Sequence, residues 1–151
     1  MDSKVESVTK WGLFHAPPAS SYCKGNVALL GDSAHASTPH QGAGVGQGFE
    51  DVWVLSALFT DIKNEGIKGV EKALKAYDSI RRPWSQKFVQ TSYEASQLYT
   101  FSGLEEDDIP RIKENLEKRF KWIWDEDMKE QVEKAKEVLH ATVSYRWSTR
   151  F

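Results

Sequence analysis

The sequence predicts a mostly α-helical chain, with one short strand at about residues 27–31 followed by four or five helices. Three observations carry this reading. Residues 27–30, "VALL", form a continuous apolar run bounded by Gly25 and Asn26 before it and by Gly31 and Asp32 after it. Further along, apolar residues recur at helical spacing in successive stretches. No second segment has comparable strand character.

Taken in order, residues 1–24 are polar and rich in turn formers, Pro17, Pro18, Ser20 and Ser21, and read as an irregular arm. Residues 25–60 hold the strand, a glycine-rich loop and a helix. Unbroken apolarity in "VALL" is the pattern of a strand buried on both faces. Such a strand needs partners, because each unpaired buried donor or acceptor costs about 1–3 kcal/mol. The sequence offers none: either the strand pairs with another chain, or the run is not a strand, or the chain belongs to something larger. Phe49, Val52, Trp53, Leu55, Leu58 and Phe59 predict a helix from about 45 to 59, punctuated by Asn64 and Gly66.

Residues 69–151 read as a helical region. Val70, Ala73, Leu74, Tyr77 and Ile80 share one face, and Pro83 is expected to break or kink the helix, since its ring clashes with the preceding turn and it lacks a backbone donor. Trp84, Phe88, Val89, Ala95 and Leu98 resume the pattern, and Gly103 is expected to close it. From Ile112 to Leu139 the periodicity allows one long helix or two meeting near Asp125. "WDED" at 124–127 favours two, because it supplies an N-cap and an acidic first turn.

The bulk numbers bound the function classes. A chain of 151 residues reads as a single domain able to bury roughly 70% of its unfolded surface. With 40% hydrophobic and 28% charged residues and a net charge of -2, it lacks the basic excess that nucleic-acid binding requires. The six tryptophans are read as core and interface packing. Cys23 is the only cysteine, so a reducing compartment is expected; with no signal-like start and no run of 18 apolar residues, a cytoplasmic protein with no membrane partner is expected. No metal site is expected.

The chemistry concentrates in "GDSAHASTPHQGAGVGQG" at residues 31–48. An acidic residue at the end of a strand, followed by glycines that lead into a helix, gathers a carboxylate and free backbone donors around one small space. That space suits a ligand with hydroxyls and an electron-rich edge. Gly42, Gly44, Gly46 and Gly48 remove side chains that would hold a flat ring off the backbone. A plain loop has the same spacing, so the pattern alone leaves both readings open.

The longer stretch "GNVALLGDSAHASTPHQGAGVGQGFEDVWVLSALF" resembles the second flavin-binding motif of the class A flavoprotein aromatic hydroxylases, and within them the salicylate hydroxylase branch. The resemblance continues through "KWGLFHAPPASSY" upstream, and through "ALKAYDSIRRPWSQKFVQTSYEASQLYTFSG" and "RFKWIWDEDM" downstream. It implies that the chain is equivalent to the C-terminal third of an FAD-dependent monooxygenase, the last part of its FAD-binding α/β fold. Asp32 would hydrogen-bond the ribityl chain of FAD. Pro39, Gly42, Ala43, Gly44, Val45 and Gly46 would line the isoalloxazine through backbone atoms. Glu50 and Asp51 match the "ED" of the motif, as helix buttresses or as contacts to the site. The family chemistry is hydroxylation of a small aromatic or phenolic substrate with NAD(P)H and oxygen.

This chain lacks the family's G-x-G-x-x-G strand–helix unit and its "DG" motif. The resemblance therefore implies a truncated domain that is incomplete alone, partnered by a complementary N-terminal chain or by copies of itself in a homo-oligomer. Two alternatives stand beside it. One is a cofactor-independent cyclase, isomerase or dehydratase using His35, His40 or Asp32 as acid or base. The other is a non-enzymatic paralogue that dimerises through the strand edge.

Overall fold

The computed structural model describes residues 7, 9–103 and 108–144. The start of the expected arm and the end of the expected helical region, residues 145–151, lie outside the described residues. The elements are β1 (Cys23–Lys24), β2 (Val27–Ala28), α1 (Asp32–His35), α2 (Gly44–Asp61), α3 (Gly66–Tyr99), α4 (Ile109–Trp124) and α5 (Met128–Ser144), with a 3-10 turn at Pro39–Gln41 between α1 and α2.

The apolar run does find a partner within the chain. β2 pairs antiparallel with β1, Cys23 opposite Ala28 and Lys24 opposite Val27, and the Leu29 amide donates to the Tyr22 carbonyl at 2.8 Å. The expected lone strand is therefore one arm of a hairpin, whose turn is built on Gly25 at φ 59°. Neither is it buried on both faces. Val27 is 69% exposed, and Leu29 and Leu30 are exposed as well. Sequence reasoning missed β1 because two residues carry no periodicity.

Three helices make the core. α2, α3 and α5 bring together Val54, Leu58, Ile62, Ala73, Tyr77, Val132, Ala135 and Leu139, with Tyr22 and Ala34 closing one end. Burying side chains of this size stabilises by about 1.5–3 kcal/mol each, so helix docking rather than helix propensity holds the bundle.

α3 runs 34 residues without interruption, about 51 Å. Pro83 stands inside it and does not end it. The reason is tertiary: Tyr77, Arg81, Ser85, Phe88, Ser92 and Ala95 are buried in one continuous stripe on both sides of the proline, and that packing outweighs one missing hydrogen bond. Nor does Gly103 close α3. The chain turns at Phe101, φ 54°, where the Phe101 and Ser102 amides donate to the Leu98 and Gln97 carbonyls in a Schellman arrangement.

The last periodic stretch is two helices, as "WDED" suggests. α4 ends at Trp124, and the Asp127 carboxylate accepts from the Lys129 amide at 2.9 Å at the start of α5. α4 lies against the second half of α3, where Trp84 and Trp122 pack edge to face with centroids 4.8 Å apart. Its own start is capped by Asp108, whose side chain accepts from the Arg111 amide.

Candidate functional site

The glycine-rich stretch leads into a helix as expected, but the expected loop holds a short helix, α1, and a 3-10 turn before α2 begins. Gly31 sits at φ 57°, ψ -144°, a region essentially closed to residues with a Cβ, and this bend lifts the chain out of the hairpin into α1. Asp32 is the first residue of α1 and is exposed. Among the described residues no hydrogen bond or ion pair engages its carboxylate.

Pro39 opens the 3-10 turn, and Gly42 ends it in the left-handed conformation, φ 64°, with its amide donating to the Pro39 carbonyl at 3.1 Å. A Cβ at Gly42 would meet nothing within 4 Å, so the space over the turn is open. Ala43 is the N-cap of α2, and no side chain caps that end. The amides of Gly44, Val45 and Gly46 therefore have no intrahelical acceptor, and they sit at the positive end of an 18-residue helix. Asp32, Pro39, Gly42, Ala43, Gly44, Val45 and Gly46 thus all lie on the two turns and the helix start. The residues present fit a flat anionic ring: open space above glycine, free amide donors, and an uncommitted carboxylate for hydroxyls.

What holds these turns in place is a buried ionic network. Asp51 on α2 has no solvent exposure and accepts three ways across the site: its Oδ2 lies 2.6 Å from His35 Nε2 and 3.0 Å from the Gly31 amide, and its Oδ1 takes the Arg81 Nε proton at 2.8 Å. Burial works to raise the Asp51 pKa, but the hydrogen bonds from His35, Arg81 and the Gly31 amide outweigh it and hold the carboxyl below its usual range.

Arg81 is wholly buried. Its Nη1 donates to Gln131 Oε1 at 2.7 Å and lies 2.8 Å from Glu50 Oε2, while its Nη2 donates to Gln47 Oε1 at 3.0 Å. Glu50 is pushed up by burial against this attraction. One guanidinium therefore clamps α2, α3 and α5 together, while Asp51 ties the clamp to the Gly31 turn. The "ED" pair is a buttress. Arg81, Gln47 and Gln131 were not among the expected site residues. A signal for Arg81 did exist: it falls on the buried stripe of α3, four residues after Tyr77, and a cation there demands a buried carboxylate.

His35 is 2% exposed, with Nε2 committed to Asp51 and Nδ1 without a partner. It lines a cavity of only about 30 Å³ beneath Pro17 and Pro18, room for a water and not for an aromatic substrate. His40 is separate from it, half-buried and stacked on Tyr99 with centroids 6.0 Å apart. The fold does not bring the two histidines and Asp32 into one pocket. Among the described residues no three His, Cys, Asp or Glu side chains gather as a metal site, and no helix is long and apolar enough to cross a membrane.

α2 carries a second apolar stripe facing outward: Val45 is 76% exposed, and Phe49, Val52 and Trp53 are each more than half exposed. Leu29 and Leu30, just before the Gly31 turn, are exposed apolar residues as well.

A glycine turn feeding the free amides of a long helix, beside an exposed carboxylate, is an arrangement that suits an anionic ligand carrying hydroxyls. Residues 1–92 match the family described as the FAD binding domain, and the chain belongs to that family. Its relatives are salicylate hydroxylase-like FAD-dependent monooxygenases. The chain is 41% identical over 128 residues to 6-methylsalicylate 1-monooxygenase of Aspergillus terreus, covering 84% of this chain and 28% of that protein. It is 38% identical over 133 residues to a salicylate hydroxylase of Pseudomonas putida, covering 87% and 30%. A solved salicylate hydroxylase in complex with substrate superposes with a TM-score of 0.73 at 39% identity, over 78% of this chain and 29% of that one. The chain thus spans less than a third of the length of these relatives.

Proposed function

We propose that this chain supplies the isoalloxazine-side half of an FAD site in a monooxygenase that hydroxylates a small aromatic or phenolic substrate with NAD(P)H and oxygen. The observation that carries the reading is the pairing of an open left-handed turn at Gly42 with an exposed Asp32 carboxylate that no described residue engages. The named relatives act on salicylate or 6-methylsalicylate, which supports an aromatic acid as the substrate class.

Bound FAD would supply the redox chemistry. The residues of this chain do the rest of their part by position. Asp32 accepts hydrogen bonds from ribityl hydroxyls. The amides at 44–46 donate toward the edge of the ring where negative charge develops, a preorganised stabilisation that needs no rearrangement during reaction. Pro39, Ala43 and Val45 keep water from the ring face. The Asp51–Arg81 network holds these groups in register and touches no ligand itself.

The adenosine half of the cofactor and the nicotinamide contacts come from a nucleotide-binding region elsewhere, in a longer form of the protein or a complementary chain. The exposed apolar residues Leu30, Phe49 and Trp53 favour such a cover. A second copy of the chain is the competing occupant, and light scattering distinguishes them.

The test is a chimera in which this chain replaces the matching segment of the Pseudomonas putida salicylate hydroxylase. Retention of yellow flavin with salicylate-dependent NADH oxidation is the expected result. A folded chimera that holds no flavin, beside a parent that does, would overturn the reading.

A further inference from the structure

We propose that the groove between α3 and α4 binds a small polyanion of the phosphate class. The groove is open, about 510 Å³, and lies apart from the flavin turns. Among the described residues, four cations line it, Lys87 on α3 and Arg111, Lys118 and Arg119 on α4, against one carboxylate, Glu114. The chain as a whole carries a net charge of -2, so this concentration of positive charge is local.

The four cations are not equally available. Lys118 pairs with Glu114 one turn away, which neutralises the one acid that lines the groove among the described residues. Arg119 is fixed by the Glu94 carboxylate, by Asn115 Oδ1 at 3.0 Å and by the Thr91 carbonyl at 3.3 Å. Lys87 and Arg111, by contrast, make no ion pair among the described residues. Lys87 is nevertheless held in place: its Nζ stands 4.0 Å from the centroid of the Trp122 ring, which Trp84 braces edge-on. A cation–π contact holds the ammonium on one wall, while Arg111, in the first turn of α4, lines the other.

Two cations without an ion pair among the described residues, on facing helices, select the charge of the ligand. A monocarboxylate satisfies one of them and leaves the other. A phosphate group with two or more charges answers both, and a guanidinium takes two of its oxygens at once. Four cations facing one groove repel one another even with Lys118 and Arg119 paired, so a bound polyanion also relieves part of that repulsion.

The groove is joined to the glycine loop by one side chain. Thr91 Oγ1 donates to Gln41 Oε1 at 2.9 Å, and Gln41 Nε2 donates to the Arg119 carbonyl at 3.4 Å. Gln41 is the residue before Gly42. A ligand that draws α3 and α4 together therefore shifts the loop that begins there.

The experiment titrates the 151-residue chain with inorganic pyrophosphate at low ionic strength, by calorimetry and by amide chemical shifts. Saturable binding is expected with Kd on the order of 0.1–1 mM, with shifts at Trp122, Gln41 and Gly42. The double change Lys87→Gln with Arg111→Gln should weaken binding at least tenfold, whereas Lys113→Gln, on α4 but outside the groove, should leave it unchanged. If the double variant loses its far-UV circular dichroism, each single variant is read instead, with a threefold or greater weakening expected from either. Adenosine diphosphate is the second probe: affinity equal to pyrophosphate assigns the groove to free phosphates, and tighter binding assigns it to a nucleotide's phosphates. No saturable binding, equal loss in Lys113→Gln, or tighter binding of benzoate than of pyrophosphate would overturn the proposal.

Discussion

Arg81 Nε donates to Asp51 Oδ1 at 2.8 Å, and neither side chain has any solvent exposure. The pair joins α3 to α2, and through Asp51 it reaches the Gly31 amide and His35, so the turn that presents Asp32 is braced from inside the fold. Its worth lies in what breaking it leaves behind. Removing one partner strands a buried charge, which costs far more than the net contribution of the intact pair.

Arg81→Met is therefore expected to destabilise the chain by about 3–5 kcal/mol, measured as the shift in urea midpoint at unchanged slope. A loss below about 1 kcal/mol would mean that the guanidinium is not the clamp it appears in the geometry.

The same cluster sets a pH dependence with two opposed parts. Asp51 titrates below its unfolded value of about 3.9, so the stability it contributes is complete above that pH and is lost as pH falls through the folded pKa. Glu50 titrates above its unfolded value of about 4.3, so its contribution is present below that pH and is lost as pH rises through the folded pKa. Glu50→Gln should make stability rise more steeply with pH across the acid range. Asp51→Asn should flatten the acid limb, at a lower overall stability. Denaturation at a series of pH values from about 3 to 7 reads both slopes.

Asp32 carries no such structural load. Asp32→Ala should change unfolding free energy by less than about 0.5 kcal/mol. In the salicylate hydroxylase chimera it should weaken flavin retention about tenfold, the worth of a charged hydrogen bond at 1.5–3 kcal/mol less its partial replacement by water. Flavin affinity unchanged by this substitution would remove Asp32 from the site.

Phe101 closes α3 in a conformation that favours glycine, and its side chain is 55% exposed. Phe101→Gly should raise stability by about 1 kcal/mol, because relief of the left-handed strain exceeds the small contact area lost. A scanning-calorimetry melt reports it as a rise in Tm.

Pro83 lies on the exposed side of a helix that continues past it. Pro83→Ala should stabilise by about 1–3 kcal/mol by restoring the donor to the Ser79 carbonyl. A fall in Tm would show that the proline is required for the course of α3.

Much of this protein is legible from spacing. The helices around Phe49, around Tyr77 and Phe88, and on either side of Asp125 follow from apolar periodicity, because each buries a face against its neighbours. The glycine turns and the N-terminus of α2 follow from glycine's freedom at positive φ, which is local to the residue. Continuity of α3 across Pro83 could not be read there, since a proline's local penalty is visible in sequence while the packing that outweighs it is not. The same holds for the closing turn at Phe101, where a distant-looking Gly103 offered the stronger local signal. The hairpin partner of "VALL" and the Arg81 clamp were visible only in the structure. The clamp joins residues far apart in the chain, Asp51 with Arg81 and Gly31 with Asp51, and a single sequence carries the charges without their distances; the hairpin is local, but a two-residue strand carries no periodicity. The sequence by itself determined which backbone lies open at the glycine turn; only the fold determined what holds it open, because a buried ion pair exists only when water has been excluded around it.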